Sequence, residues 1–390
     1  ARFQLTAENA ATILQICRCL DGIPLALELA AARLHVLSVE QIALRLDDRL
    51  SFLTSGSRTA PPRHQTLRAT LDWSYELLTV DESLLFRRLA AFVGSFPLEA
   101  VEQVCGALPA PVLDVLMHLV EKSLVLVEHT DQGIHYRMLE IIRDYAREKL
   151  LASGEIEQLR LRHLSFFIKL AEATYAQLQY KQREHWLAWL ERLHENIRIA
   201  LRRATESGKQ VEALRLASTM GLFWELRGYW QEGGHWLDQV LQMSEGIAAY
   251  PFESSDLQRW IALALQRAGA MAWRQCDFVG ARRLLEQSLA LDRKVNHWDG
   301  ISAALGLLGG VAFEQGDYPA AQAYYTESLT VAHWAGTKHP LGMAYFCLGL
   351  VACQVGEYAV AHTHLSKSLA LLREIEHSDV HYPLNTLGNL

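Results

Sequence analysis

Side chains able to do chemistry are plentiful in this sequence but poorly grouped. The six cysteines, Cys17, Cys19, Cys105, Cys276, Cys347 and Cys353, include no C-x-x-C pair, and no histidine completes a zinc spacing beside them. They read as buried free thiols of a reducing compartment. His362 and His364 lie two apart, so on a helix they point in different directions and make a poor metal pair. His118, His129 and His135 have no partner at sequence level. There is no G-x-x-x-x-G-K-[ST] phosphate loop and no apolar strand ending in acidic metal ligands. Taken alone, the chain is therefore not expected to be an enzyme, and the sequence nominates no catalytic residue and no metal ligand. What remains is positional. Gly22-Ile23-Pro24 sits between two helical runs, and Tyr136–Leu150 begins as a hairpin arm and becomes an amphipathic helix.

The elements that must position these stretches follow from bulk properties and local patterns. The chain has 390 residues, enough for two or three domains. It is 50% hydrophobic and 21% charged, a globular balance with a sizeable core. The net charge of −7 argues against the chain as a whole acting as an electrostatic nucleic-acid binder. No apolar run approaches the roughly 18 residues of a membrane span, so a cytoplasmic protein without membrane contact is expected.

Thr6 suits the N-cap of a helix running through Leu20. Gly22 can end that helix in a left-handed conformation, and Pro24 can open the next at its first turn. Ser38 with Gln41 makes a capping-box pattern for a third helix. Residues 55–63 read as a linker. Helices are expected over Thr66–Leu78, then after an Asp81 cap, after Pro97, and over Ala110–Lys122. Leu124–Glu128 and Ile134–Arg137, separated by the turn-forming His129–Gly133, give a hairpin. Helices followed by a hairpin make a winged helix. The tip of its wing carries Glu128 and Asp131 and no Lys or Arg, so a phosphate contact there is disfavoured and protein packing is the expected role. From Glu155 to Ala204 the pattern is helical throughout, with Trp186, Leu187, Trp189, Leu190 and Leu193 mostly on one face.

The last third repeats itself every 40 residues: Gly269, Gly309, Gly349; Asp277, Asp317, Glu357; Phe278, Tyr318, Tyr358; Ala281, Ala321, Ala361; Ser288, Ser328, Ser368; Leu289, Leu329, Leu369. A further copy opens at Leu384, one residue out of phase, and Val211–Met243 reads as a degenerate earlier one. Small residues such as Gly309 and Ala321 let paired helices approach closely. Gly316-Asp317-Tyr318 turns one helix into the next. Each pair must stack on its neighbours to bury its apolar face, which gives a solenoid able to bind a protein or peptide. The order of small, turn and aromatic positions resembles tetratricopeptide repeats. Their usual period is about 34, so longer helices or loops are expected here.

Several stretches resemble bacterial STAND-type ATPases with an NB-ARC module, and among them the large transcriptional regulators of the AfsR and LuxR type. They are Ile16–Ala31, Arg63–Tyr75, Leu119–Val125, Tyr136–Leu150 and Trp189–Arg198, together with the repeats. The resemblance implies a mainly α chain: a helical subdomain over 1–55, a winged-helix subdomain with a small β-hairpin over 63–152, a helical linker with a degenerate repeat over 155–250, and an α-solenoid of TPR-like helix pairs over 255–390. It implies that Gly22 and Pro24 belong to the motif whose proline packs on adenine. It places Met138-Leu139-Glu140 on the family's Met-His-Asp motif, whose histidine touches the β-phosphate of ADP. Here that position is Leu139, which cannot donate a hydrogen bond, while Glu140 keeps the acidic position.

The same resemblance implies that ATP or ADP serves the longer parent protein rather than binding tightly to this segment. The P-loop domain would precede Ala1 and work in cis, and DNA would be contacted only through domains beyond Leu390. It further implies an inducer or protein partner on the repeats and oligomerisation on activation. Two readings follow. One is the regulatory and sensor segment of a nucleotide-switched signal-transduction ATPase controlling transcription. The other is a repeat scaffold for protein assembly beside a degenerate ATPase module, which Leu139 favours.

Overall fold

A computed structural model describes residues 9–20, 27, 30–31, 34, 37–45, 67–178, 180, 182–244 and 255–390. The chain divides into two compact units, Ala1–Phe166 and Phe167–Leu390. Thr6, Gly22, Pro24 and the linker at 55–63 lie outside the described residues.

In the first unit, α1 spans Ala10–Cys19 and α2 spans Val39–Arg45. The capping box is present: Gln41 donates its N–H to Ser38 Oγ at 3.3 Å, and Ser38 donates its N–H to Gln41 Oε1 at 3.1 Å. Next come α3 (Leu67–Glu76) and α4 (Val80–Leu89). The cap of α4 is Thr79 rather than Asp81. Thr79 is extended (φ −65°, ψ 170°) and exchanges the reciprocal bonds of a capping box with Glu82. Asp81 falls inside the first turn, where its charge complements the helix dipole instead of closing the end.

Then follow β1 (Ser95–Pro97), α5 (Leu98–Cys105), α6 (Val112–Glu121), β2 (Leu126–Thr130) and β3 (Gly133–Arg137), with strand order β1-β3-β2. The expected hairpin is thus part of a three-stranded antiparallel sheet, in which Phe96 pairs with Tyr136 and Thr130 with Gly133. β1 is three residues long, too short to show a strand period in sequence. The hairpin turn is tighter than the five residues read from composition, because His129 and Gly133 both pair. This helix–strand–helix–helix–strand–strand order is a winged helix. Its core holds Leu85, Phe86, Leu89, Val101, Leu116, Leu119 and Ile141, each at most 1% exposed. α7 (Glu140–Ser153) leaves the hairpin and stops at left-handed Gly154.

The helical run beyond residue 155 is not continuous: α8 (Ile156–Gln177) ends before α9 (Arg183–Glu206). The second unit continues with α10 (Gln210–Arg227), α11 (Trp230–Ser244), α12 (Ser255–Arg274), α13 (Phe278–Lys294), α14 (Trp298–Glu314), α15 (Tyr318–Ala335), α16 (Lys338–Gln354), α17 (Tyr358–Glu374), a 3-10 turn at Ser378–Val380, and α18 (His381–Gly388). From α10 to α17 these are successive helix pairs. The longer period resides in the helices: α13 to α17 each have 17 or 18 residues.

The repeat columns have physical roles. Cys276, Gly316 and Gly356 all take positive φ (62°, 77°, 81°) at the turn within a pair. Asp277 and Asp317 then cap the next helix by accepting the N–H of Gly280 (2.9 Å) and Ala320 (3.1 Å). Ala281, Ala321 and Ala361 are fully buried. A Cβ on Gly309 would stand 2.4 Å from the Tyr325 ring, and one on Gly269 or Gly349 would stand 2.8 Å from Leu285 or Leu365. The glycines therefore set the helix–helix distance. Ser288 Oγ donates to the Ala262 carbonyl at 2.8 Å, and Ser328 Oγ to that of Ser302 at 3.0 Å.

The second unit also makes contacts that the repeat rule does not generate. Tyr180 forms an isolated antiparallel bridge with His377, and Arg183 pairs with Asp379 at 2.9 Å across 196 residues. The segment before the first repeat pairs meets the segment after the last full one.

Candidate functional site

Leu139 is the N-cap residue of α7, with extended backbone (φ −62°, ψ 143°) and no side-chain cap bond. It lies between buried Met138 and Glu140, which pairs with Arg143 at 2.9 Å. An isobutyl side chain at this position offers packing and no donor.

α7 is bound to α3 by a dense polar and aromatic set. Tyr145 donates its hydroxyl to Asp72 at 2.6 Å. Arg68 makes a two-pronged bond to Glu148, at 3.3 and 2.7 Å. The Lys149 ammonium lies 5.0 Å from the Tyr75 ring centroid and 4.8 Å from that of Tyr145, a cation–π geometry. Burial pushes the Tyr145 hydroxyl up, and the Asp72 carboxylate pushes it further, so it stays a donor. Thus the sequence stretches around Trp73 and Tyr145 meet as one joint. Composition could not show this, because Asp72 and Tyr145 are 73 residues apart.

At the far end of α7, Glu155 accepts from both Arg87 (3.3 Å) and Arg88 (3.2 Å). Burial raises its carboxyl, but the two guanidinium groups outweigh burial and hold it below the ordinary carboxylate range. Phe92 stacks on Phe96 at 4.5 Å and packs on His163 at 5.6 Å, so the start of α8 is fixed to the winged helix.

The exposed face of α6 is acidic and apolar. α6 exposes Leu113, Asp114, Met117, His118 and Glu121 and carries no Lys or Arg. At the wing, Asp131 occupies the turn, as read from sequence. Glu128 does not sit at the tip: it lies in mid-strand opposite His135 and pairs with Arg137 at 2.5 Å. That pairing also takes up the wing's nearest cation.

In the second unit the Trp189–Arg198 stretch forms an internal brace. Trp224 Nε1 donates to His194 Nε2 at 3.0 Å, and Arg198 grips Glu232 at 2.6 and 2.5 Å. His194 is packed against Phe223 and Tyr229. Burial lowers its pKa, so the ring stays neutral and accepts the indole proton. This joins α9 to α10 and α11. The aromatic stripe is legible in the sequence here but the histidine inside it is not, because its hydrogen-bond partner Trp224 lies 30 residues away.

No helix among the described residues is long and apolar enough to cross a membrane.

The architecture defines a class: a winged helix-turn-helix domain followed by tetratricopeptide repeats. Family models agree, one for a winged helix-turn-helix domain over residues 78–151 and one for a tetratricopeptide repeat over 260–332. The chain is homologous to proteins named, by inference, as HTH-type transcriptional regulators. Two of these, from Mycobacterium bovis and from Mycobacterium tuberculosis, are each 40% identical over 299 residues, covering 75% of this chain and 33% of the relative. The chain therefore spans about a third of the length of those relatives. Among solved structures it is similar to a STAND protein with a tetratricopeptide repeat sensor from Pyrococcus horikoshii. That likeness has 16% identity and a TM-score of 0.36, and covers 89% of this chain and 59% of the other.

Proposed function

We propose that this chain is the regulatory and sensor portion of a nucleotide-switched signal-transduction ATPase that controls transcription. In this reading the repeats bind an inducer or protein partner. Nucleotide state is read in part through Pro24 and the Leu139 region, and it biases the same equilibrium as the partner, with reciprocal coupling. The observation that carries the reading is the winged helix itself. Its exposed helix offers Leu113, Asp114, Met117 and Glu121 where a DNA reader needs cations, so the module suits packing on protein. Its last helix, α7, is tied into that module through Asp72 and Tyr145. Homology to HTH-type regulators supports the transcriptional part, and the sequence resemblance to STAND ATPases supports the nucleotide part.

The test uses a protein extended upstream to include the P-loop domain. Pro24→Ala is expected to weaken ATP and ADP binding, measured by calorimetry. Leu139→His is expected to tighten ADP by restoring a phosphate donor. Unchanged affinities in both variants remove the switch.

A second reading, a repeat scaffold beside a degenerate ATPase, is favoured by Leu139 alone. An upstream sequence with a broken phosphate loop would establish it. The winged helix-turn-helix match also makes a direct DNA role testable. A gel-shift titration of this chain on duplex DNA is expected to show no salt-dependent complex, and a steep salt-dependent one would assign the module to DNA.

A further inference from the structure

The contact that closes the second unit contains a donor set that sequence spacing concealed. His339 lies on the first turn of α16, and Asp379 lies one 40-residue period later, in the 3-10 turn. Stacking successive repeats therefore brings the two together. His339 Nε2 is 3.1 Å from Asp379 Oδ2, and His377 Nδ1 is 3.5 Å from the same oxygen. All three donors lie within 4.8 Å of one another.

We propose that His339, His377 and Asp379 bind a zinc-class divalent transition-metal ion, which staples the closure of the second unit. Two imidazoles and a carboxylate are a zinc-type set, and they disfavour magnesium and calcium, which take oxygen ligands. Donors at about 2.0–2.1 Å from a tetrahedral ion stand about 3.4 Å apart, close to the two separations to Asp379. The second carboxylate oxygen, Oδ1, accepts from Arg183 at 2.9 Å, which orients the carboxylate as an outer-shell partner does and leaves Oδ2 for the ion.

A separate observation points to a missing partner. His377 is 3% exposed, and its Nε2 has no hydrogen-bond partner among the described residues. Its Nδ1 accepts the Asp379 backbone N–H at 3.1 Å, so the neutral ring keeps its proton on the idle nitrogen. That Nε2–H is a donor on the opposite side of the ring from Nδ1, so it calls for an acceptor such as water, while Nδ1 is the nitrogen placed for the ion.

Ion uptake must undo three contacts. The hydrogen bond between His339 Nε2 and Asp379 Oδ2 opens, its proton passing to solvent or to the other ring nitrogen. The Asp379 N–H bond to His377 gives way, and the two rings, stacked with centroids 3.8 Å apart, must diverge. His339 has the freedom to swing, being one-third exposed on its side chain. The fourth position falls to water. An open groove of about 420 Å³ runs beside the cluster, lined by Tyr180, whose ring packs on His377, and by Glu374 and Glu376.

The test takes the 390-residue chain, strips it with EDTA, and titrates zinc against a competing chromogenic chelator, with thermal melts in parallel. One ion per chain is expected, together with a zinc-dependent rise in melting temperature. His339→Ala is expected to abolish both. His339→Ala also removes the hydrogen bond to Asp379 and the stack on His377, so the zinc-dependent rise of each variant is read against its own metal-free melt. Arg183→Gln is expected to keep the stoichiometry and weaken affinity about 10–100-fold. No zinc uptake by the wild type, or full uptake by His339→Ala, overturns the proposal.

Discussion

The two units achieve order in opposite ways. In the winged-helix unit, nearly every important contact occurs once. Tyr145 with Asp72, Arg68 with Glu148, and Glu155 with Arg87 and Arg88 each join particular residues far apart in sequence. In the repeat unit the same contact recurs at a fixed interval: a left-handed turn, an aspartate cap, a buried alanine, a glycine beneath a bulky neighbour. A unit built of single contacts concentrates its stability in a few residues. A repeat array spreads it over near-equivalent interfaces, each depending mainly on its neighbours. The difference teaches where each unit is vulnerable: the first at its unique polar joints, the second wherever a column cannot tolerate a larger side chain.

That contrast can be broken at its strongest point first. Gly309→Val is expected to cost about 3 kcal/mol, the upper range for overpacking, because the added Cβ would stand 2.4 Å from Tyr325. Gly349→Val is expected to cost less, since Leu365 is a flexible neighbour. Denaturant unfolding measures both, and equal costs would remove the idea that the Tyr325 ring fixes the spacing.

Tyr145→Phe is expected to cost about 2 kcal/mol, the range for a hydrogen bond to a charged group. A double-mutant cycle with Asp72→Asn checks it. Additive effects would mean that the two residues do not act as one joint.

Thr79→Ala is expected to cost about 1 kcal/mol through loss of the α4 cap, whereas Asp81→Ala should cost only a few tenths through the dipole. The reverse order would return the cap to Asp81.

The smallest effect expected is a pH dependence in the repeat unit. The folded pKa of His194 lies below its ordinary 6.5 because the ring is buried. The unfolded chain then takes up a proton before the folded one does. Stability should fall as pH drops below about 6.5 and continue to fall to the folded pKa. Melting curves between pH 7.5 and 5 should show this slope in wild type and a flatter one in His194→Gln. Identical slopes would place the proton elsewhere.

Much of this was legible in the residues. The 40-residue columns marked the repeats and even their tight glycine contacts, because a recurring small residue is a local statement about backbone approach. Ser38 with Gln41 gave a true capping box, since both partners lie within one turn. Hairpin signals located the wing. The three residues of β1 were not legible, because their strand character comes from pairing with β3. The α4 cap was legible, since Thr79 and Glu82 stand three apart in a capping-box pattern, but the expectation fell on Asp81 two residues later. Of the proposed nucleotide positions, Leu139 and Glu140 lie at the hairpin-to-helix joint, while Gly22 and Pro24 fall outside the described residues.

The sequence by itself determined the order of elements, the period of the solenoid and the absence of Lys and Arg from the tip of the wing. These follow from side-chain type and near-neighbour spacing. Tertiary structure alone decided which distant groups meet: Asp72 with Tyr145, His194 with Trp224, and Arg183 with the His339, His377 and Asp379 cluster. The physical reason is range. Periodicity, caps and turns act over a few residues, whereas a contact across 196 residues exists only after every intervening helix pair has set its angle to the next.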